Sequence, residues 1–265
     1  MIDVHCHLNF HSFTSDYDEI IKHAAEKGVT MIINVGTKLD SSEKAVNLAY
    51  KYDDLFAIVG VHPHHADKLE DDWVRKLTIL GEQAKVLAVG EIGLDYFSYK
   101  SNGIVDANVQ KKVFEQQIMI AHELGKPLQI HNRHAGDDIL EILKHHQNSL
   151  QRDVPGMFHC FSGNPEFLRE VLNLGFYVGF DGNITYEGLA PGETTTLPEL
   201  VKLAPLDRIV TETDSPYLTP NPHRGTRNEP QYVILVAQEI ARIKGISYED
   251  VETQTIQNVK QLFNL

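Results

Sequence analysis

His5 and His7 stand two apart on the first apolar run of the chain, IDVHCH. Residues two apart on a strand project from one face, so both imidazoles can grip a single cation. Four more ligand-type residues close later apolar runs: Glu91 in VLAVGEIGLDY, His131 in PLQIHNR, His159 in GMFHCFSG and Asp214 in RIVTETDSP. Imidazoles and carboxylates in this mixture suit zinc, manganese, cobalt or nickel, with magnesium a further candidate. A lone histidine beside an apolar run is ordinarily a hydrogen-bonded core residue, and a carboxylate at a strand end is ordinarily a cap. Ligand types at the carboxyl ends of separate runs make a different pattern. They can act together only if those strands all finish at one end of a sheet.

The rest of the chain supplies such strands. Short β-branched runs (IDVHC, TMIINVG, LFAIVGVH, VLAVGEIG, PLQIH, GMFHCF, FYVGF and RIVTET) alternate with amphipathic stretches such as YDEIIKHAAEKG and VQKKVFEQQIMIAHELGK. Gly28, Gly125 and Gly175 follow helical patterns, as helix C-termini favour, and Ser247 is placed to cap the last helix. Eight strands separated by helices imply parallel pairing, and eight such units favour closure, so the expected fold is an α/β single-domain (β/α)8 TIM barrel over residues 1–265. An open doubly wound sheet is the alternative, but it has no glycine-rich phosphate loop to support it. A barrel carries function at the carboxyl ends of its strands, where every candidate ligand falls.

Closure makes the first and eighth strands neighbours. The alternation puts Asp3, His5 and His7 on one face and Glu212 and Asp214 on another, so Asp214 is expected to complete a site begun by His5 and His7. His131 and His159 end adjacent strands and are expected to hold a second ion, with Glu91 bridging. Two cations about 3.5–4 Å apart activate water and stabilise entering and leaving oxygens.

The motifs IDVHCHL at 2–8, GVHPH at 60–64, GEIGLDY at 90–96, QIHNRHA at 129–135, HCFSG at 159–163, ETDSPYL at 212–218 and RGTRNEP at 224–230 resemble, in order and over nearly the whole chain, the TatD family of metal-dependent hydrolases in the amidohydrolase superfamily. The resemblance implies a barrel with a divalent metal centre that hydrolyses nucleic acid phosphodiesters, with His5, His7, Glu91, His131, His159 and Asp214 as ligands. Glu91 stands where many other amidohydrolases carry a carboxylated lysine, and GEIGLD contains no lysine. The expected cofactor is two divalent ions. The expected reaction is in-line attack of a metal-bound hydroxide on phosphorus at the end of a single-stranded nucleic acid, DNA above all, with Asp214 as general base. His62, Arg133 and Arg224 are expected to contact phosphate, and Arg227 to add charge at the mouth. Arg133 has the alternative of an ion pair with Glu212 or Asp95. Glu212 is expected to orient a ligand imidazole, and Tyr96, Phe97 and Phe161 either stack on bases or pack under loops. TatD-like proteins include deacylases acting on D-aminoacyl-tRNA, which the ligand set does not separate from nucleases. A non-catalytic metal-binding assembly protein is the alternative of another class.

Composition narrows the partners. Twenty-four Lys and Arg against thirty-seven Asp and Glu give a net charge of −13, which disfavours broad, tight binding to duplex nucleic acid. Two cysteines make no disulfide framework and suit a reducing compartment. Strand alternation turns Cys6 and Cys160 away from their histidine neighbours, toward the barrel wall. No apolar stretch nears the ~20 residues that span a bilayer, and MIDVHCH enters the fold without a leader, so a cytoplasmic protein with no membrane partner is expected.

Overall fold

The computed structural model describes residues 1–99, 103–150 and 154–265. Residues 100–102, in the variable stretch after GEIGLDY, lie outside the described residues. Eight parallel strands run in sequence order: β1 Ile2–Cys6, β2 Met31–Val35, β3 Leu55–Val59, β4 Val86–Asp95, β5 Leu128–Arg133, β6 Gly156–Phe158, β7 Tyr177–Phe180 and β8 Ile209–Thr211. The chain beyond β8 closes the ring against β1, where Asp214 N–H donates to His5 O at 2.9 Å and His7 N–H to Ser215 O at 2.8 Å. The eightfold barrel expected from the alternation is the fold that forms.

Helices α1 Tyr17–Glu26, α2 Leu39–Ala49, α3 Trp73–Gly81, α4 Ala107–Leu124, α5 Gly136–His145, α6 Pro165–Asn173, α7 Leu197–Leu203, α8 Val233–Lys244 and α9 Tyr248–Phe263 surround it. Their ends follow local chemistry. Asp106 accepts from the amides of Asn108 and Val109 to start α4, which ends at Gly125 with φ 61°. Ser247 caps α9, as expected, and forms a capping box with Asp250. Ile2, Val4, Ile33, Val35, Ile58, Ala88, Met157 and Val210 form one buried cluster with Val259, Leu262 and Phe263 of α9. This is the packed interior that a barrel of this size requires. No helix among the described residues is long and apolar enough to cross a membrane.

Three local features depart from simple alternation. The β1–β2 register shifts between Asp3 and Cys6, so Asp3 does not share the face of His5 and His7. Its buried carboxylate instead accepts from Thr213 N–H at 2.9 Å and Thr213 O–H at 2.7 Å, fastening the β1–β8 seam. Strands β6 and β8 are three residues each and stop before His159 and Asp214. Cys160 (φ 45°) and Asp214 (φ 52°) occupy left-handed backbone there, which breaks the period of two. Cys6 faces the wall as expected, but Cys160 does not. Its Sγ lies 3.5 Å from Asn183 Nδ2, and the residue lines the cavity at the strand ends.

Gly93, near the carboxyl end of β4, holds φ 139°, and a Cβ there would lie 2.0 Å from the carbonyl oxygen of His131. Gly93→Ala is therefore expected to force β4 from β5 and destabilise the fold by about 3 kcal/mol or more. Urea unfolding checks this; a midpoint within error of wild type would contradict so close an approach.

Candidate metal centre

The six ligand-type residues converge. His5, at the end of β1, and His7, just beyond it, face each other with Nε2 atoms 3.1 Å apart, and Asp214 Oδ1 lies 3.5 Å from the first and 3.4 Å from the second. His131, on β5, and His159, just past β6, meet with Nδ1 and Nε2 3.2 Å apart. Glu91, on β4, reaches both pairs. Its Oε1 is 2.8 Å from each of His131 Nδ1 and His159 Nε2, while its Oε2 is 3.7 Å from His5 and 3.9 Å from His7. The donor atoms of His5, His7 and Asp214, and those of Glu91, His131 and His159, form two groups, each within 4.8 Å.

This geometry fits cations better than it fits an empty polar core. His7 Nδ1 faces the carbonyl of Val35 at 2.9 Å, and a carbonyl only accepts, so the proton sits on Nδ1. The lone pair of a neutral His7 then points at His5 Nε2. Asp95 fixes His131 in the same way, accepting at Oδ2 across 3.2 Å from Nε2 and leaving Nδ1 turned inward. Across each gap of ~3 Å the facing ring, His5 or His159, either donates its own N–H or turns a second lone pair inward, and a cation seated between the rings favours the second arrangement.

Without a cation between the pairs, protons on the imidazoles balance Glu91, and His131 is raised accordingly. Burial would push Glu91 up, but the charges of His159 and His62 and hydrogen bonds from His131 and His159 outweigh it, holding the carboxyl well below the usual range. Burial would lower His131, yet Asp95 and Glu91 lift it to about 9. Burial and the neighbouring His159 hold His5 well below an ordinary imidazole. Burial also lowers His62.

The remaining expectations divide. His62 lies beyond β3, its Nδ1 accepting from His64 N–H at 3.2 Å, so Nε2 carries the proton and faces Glu91 Oε1 at 3.5 Å. Arg133 lines the cavity, with its guanidinium 5.2 Å from the Phe97 ring and its buried Nε without a partner. Among the described residues it makes no ion pair with Glu212 or Asp95. Arg224 is exposed and stacks 3.9 Å over Tyr186, outside the cavity lining. Arg227 does not serve the mouth. It grips Asp16 at 2.6 and 3.1 Å and the Ser12 carbonyl at 2.6 Å, holding the loop after β8 against the start of α1. Glu212 stands behind His159, with Oε1 3.9 Å from Nδ1, and accepts from Cys160 N–H. Phe161 is buried in a ring cluster with Phe158, Phe167 and Phe180, and the Tyr96 hydroxyl donates to Asp138.

Asp95 was missed as a site residue. It is fully buried, and its Oδ2 gathers His131 Nε2, His64 Nε2 at 3.0 Å and the Tyr99 hydroxyl at 3.2 Å. The signal was present: Glu91, Gly93 and Asp95 share one parity on β4. Asp95→Asn would offer amide hydrogens to groups that themselves donate. Metal affinity is expected to fall about 10–100-fold, measured by competition with a chromogenic chelator. Unchanged affinity would reduce Asp95 to a packing residue.

The cavity above these residues measures about 560 Å³, and its walls include Phe10, Thr37, Tyr99, Asn183 and Tyr217. A larger one, about 860 Å³, lies between α2 and α3 and contains none of the metal-type groups found among the described residues.

The family described as TatD related DNase matches residues 2–264. The chain is 38% identical to the uncharacterized metal-dependent hydrolase YabD of Bacillus subtilis (strain 168), covering 100% of this chain and 99% of that protein. It is 33% identical to a protein of Erwinia tasmaniensis named 3'-5' ssDNA/RNA exonuclease TatD, covering 100% of both. Among solved structures, YJJV, a TatD homolog from Escherichia coli K12, superposes with a TM-score of 0.89 at 29% identity, over 100% of this chain and 98% of that one.

Proposed function

The chain belongs to the TatD-related DNase family of metal-dependent hydrolases, and from that premise we propose that it cleaves phosphodiester bonds at the ends of single-stranded nucleic acid with two divalent ions. The observation that carries this reading is Glu91, whose two oxygens face two separate histidine pairs. His5, His7 and Asp214 would hold one ion, and His131 and His159 the other, with Glu91 between them. This donor set favours zinc, manganese, cobalt or nickel over magnesium. Cations there supply Lewis acidity, acidifying water and offsetting charge that builds on phosphoryl oxygens.

The protein's own groups do the rest. Asp214 is the general base, since its partly exposed carboxylate opens to the cavity and can take a proton from the attacking water. His62 Nε2–H donates to a phosphoryl oxygen. Arg133 presents its guanidinium to the phosphate, braced by Phe97. Arg224 contacts a phosphate further along the strand. A basin of this size admits a strand terminus, and the exonuclease name of the Erwinia relative supports a single-stranded substrate. Two free cysteines agree with a cytoplasmic setting.

The test is a panel: metal-reconstituted protein against 3'- and 5'-blocked DNA and RNA strands and D-aminoacyl-tRNA. Release of nucleotides from an unblocked end is the expected result. Turnover of the tRNA ester alone would replace the nuclease reading, and inertness toward all would remove it.

Salt dependence tests the sparse cationic surface. With Arg227 engaged by Asp16, Arg133 and Arg224 are the phosphate contacts proposed among the described residues, so the log–log slope of binding against salt should be about 1.4 on single strands, at roughly 0.7 per contact. Arg224→Ala should lower it by about 0.7 and raise KM more than it lowers kcat. A slope near ~8 would reveal an extended basic track beyond these two arginines.

A further inference from the structure

Tyr217 differs from every other tyrosine in the protein. Of the ten in the chain, nine use a hydroxyl hydrogen bond or a ring contact: Tyr50 donates to Gln83, Tyr186 donates to the Thr219 carbonyl under Arg224, and Tyr232 stacks on His223. Tyr217, 54% exposed, has neither among the described residues. It lines the catalytic cavity three residues after Asp214.

Its backbone, by contrast, is held firmly. Tyr217 N–H donates to Asp214 O at 2.9 Å. The side-chain amide of Asn228 donates to Thr213 O at 2.7 Å and Tyr217 O at 2.5 Å, clamping both ends of the turn that carries Asp214. Leu218 follows at φ 56°, its carbonyl seated where a Cβ on Gly182 would lie 2.1 Å away. A single exposed tyrosine is ordinary on a protein surface. A free aromatic face on an immobilised turn at the rim of a hydrolytic basin is a prepared contact, because little ordering entropy remains to be lost on binding.

We infer that Tyr217 is the platform on which an unpaired nucleobase next to the scissile phosphate stacks, an assignment that rests on the nuclease reading above. Stacking on a tyrosine face is open to every base, so it favours strand ends that carry a base without selecting which one. It also lets a protein of net charge −13 hold a polyanion with few cations.

The test compares kcat/KM of the metal-loaded wild type, Tyr217→Phe and Tyr217→Ala on strands with a natural or an abasic terminal nucleotide. Loss of one stacked base should lower kcat/KM roughly 5- to 150-fold. Tyr217→Ala should lose that factor on the natural end, Tyr217→Phe should recover most of it, and removing ring and base together should cost no more than removing either. A terminal 2-aminopurine on a phosphorothioate strand should be quenched by wild type and Tyr217→Phe but not by Tyr217→Ala. The proposal falls if Tyr217→Phe loses as much as Tyr217→Ala, which would assign the role to the hydroxyl, or if the ring and base effects multiply independently. A wild type that cuts no strand would instead remove the nuclease reading, and this inference with it.

Discussion

Asp214→Asn is expected to keep its metal and lose at least ~10² in kcat. The substitution is unusually clean. Asp214 sits at φ 52°, a left-handed conformation that asparagine adopts as readily as aspartate, so the turn should survive. Asparagine also keeps an oxygen toward His5 and His7, where Oδ1 now lies at 3.5 and 3.4 Å. What it cannot do is accept a proton from water. Elemental analysis beside steady-state kinetics separates the two roles. Bound metal with a collapsed rate identifies the base; near-normal turnover means that some other group takes the proton.

How far such assignments were legible in the sequence depends on where the strands end. His5 lies on a strand with His7 one residue past its end, and His131 and Glu91 lie on strands, so a period of two and a common strand end were enough to bring them together. His159 and Asp214 were found by residue type at the ends of apolar runs, although both lie past strands only three residues long. The same shortness defeated the reading of Cys160. With φ 45° at that residue, alternation no longer says which way a side chain points. Asp3 was misplaced for a related reason, since one register shift moves it from the face of His5 to the seam with Thr213. Arg227 shows the limit of motif reading for charged residues. A motif gives a guanidinium near the mouth, but whether Asp16 has already claimed it is a tertiary fact. Asp95 and Tyr217 went unrecognised because their importance lies in their surroundings, a carboxylate that gathers His131, His64 and Tyr99 and a ring with no such contact among the described residues.

Glu91→Gln should have the larger consequence, reducing bound metal from about two ions to about one and kcat by at least ~10³, the rate equivalent of losing several kcal/mol of Lewis-acid stabilisation. Glu91 is buried, and its carboxylate is the anion that reaches both histidine pairs. Glutamine is nearly isosteric but neutral, and its amide nitrogen must face one of the pairs with hydrogens where lone pairs already point. The loss should be unequal. The pair His5–His7 keeps Asp214 as its own carboxylate, whereas the carboxylates left to His131–His159 sit behind the rings on the far nitrogens, Asp95 at His131 and Glu212 at His159. The ion that remains should therefore be the one beside Asp214. In the Glu91→Gln background, His131→Ala should remove little further metal, while His7→Ala should remove nearly all of it. Retention of two ions with full activity in Glu91→Gln would show that the two pairs are independent sites and that the carboxylate between them is only their hydrogen-bond acceptor.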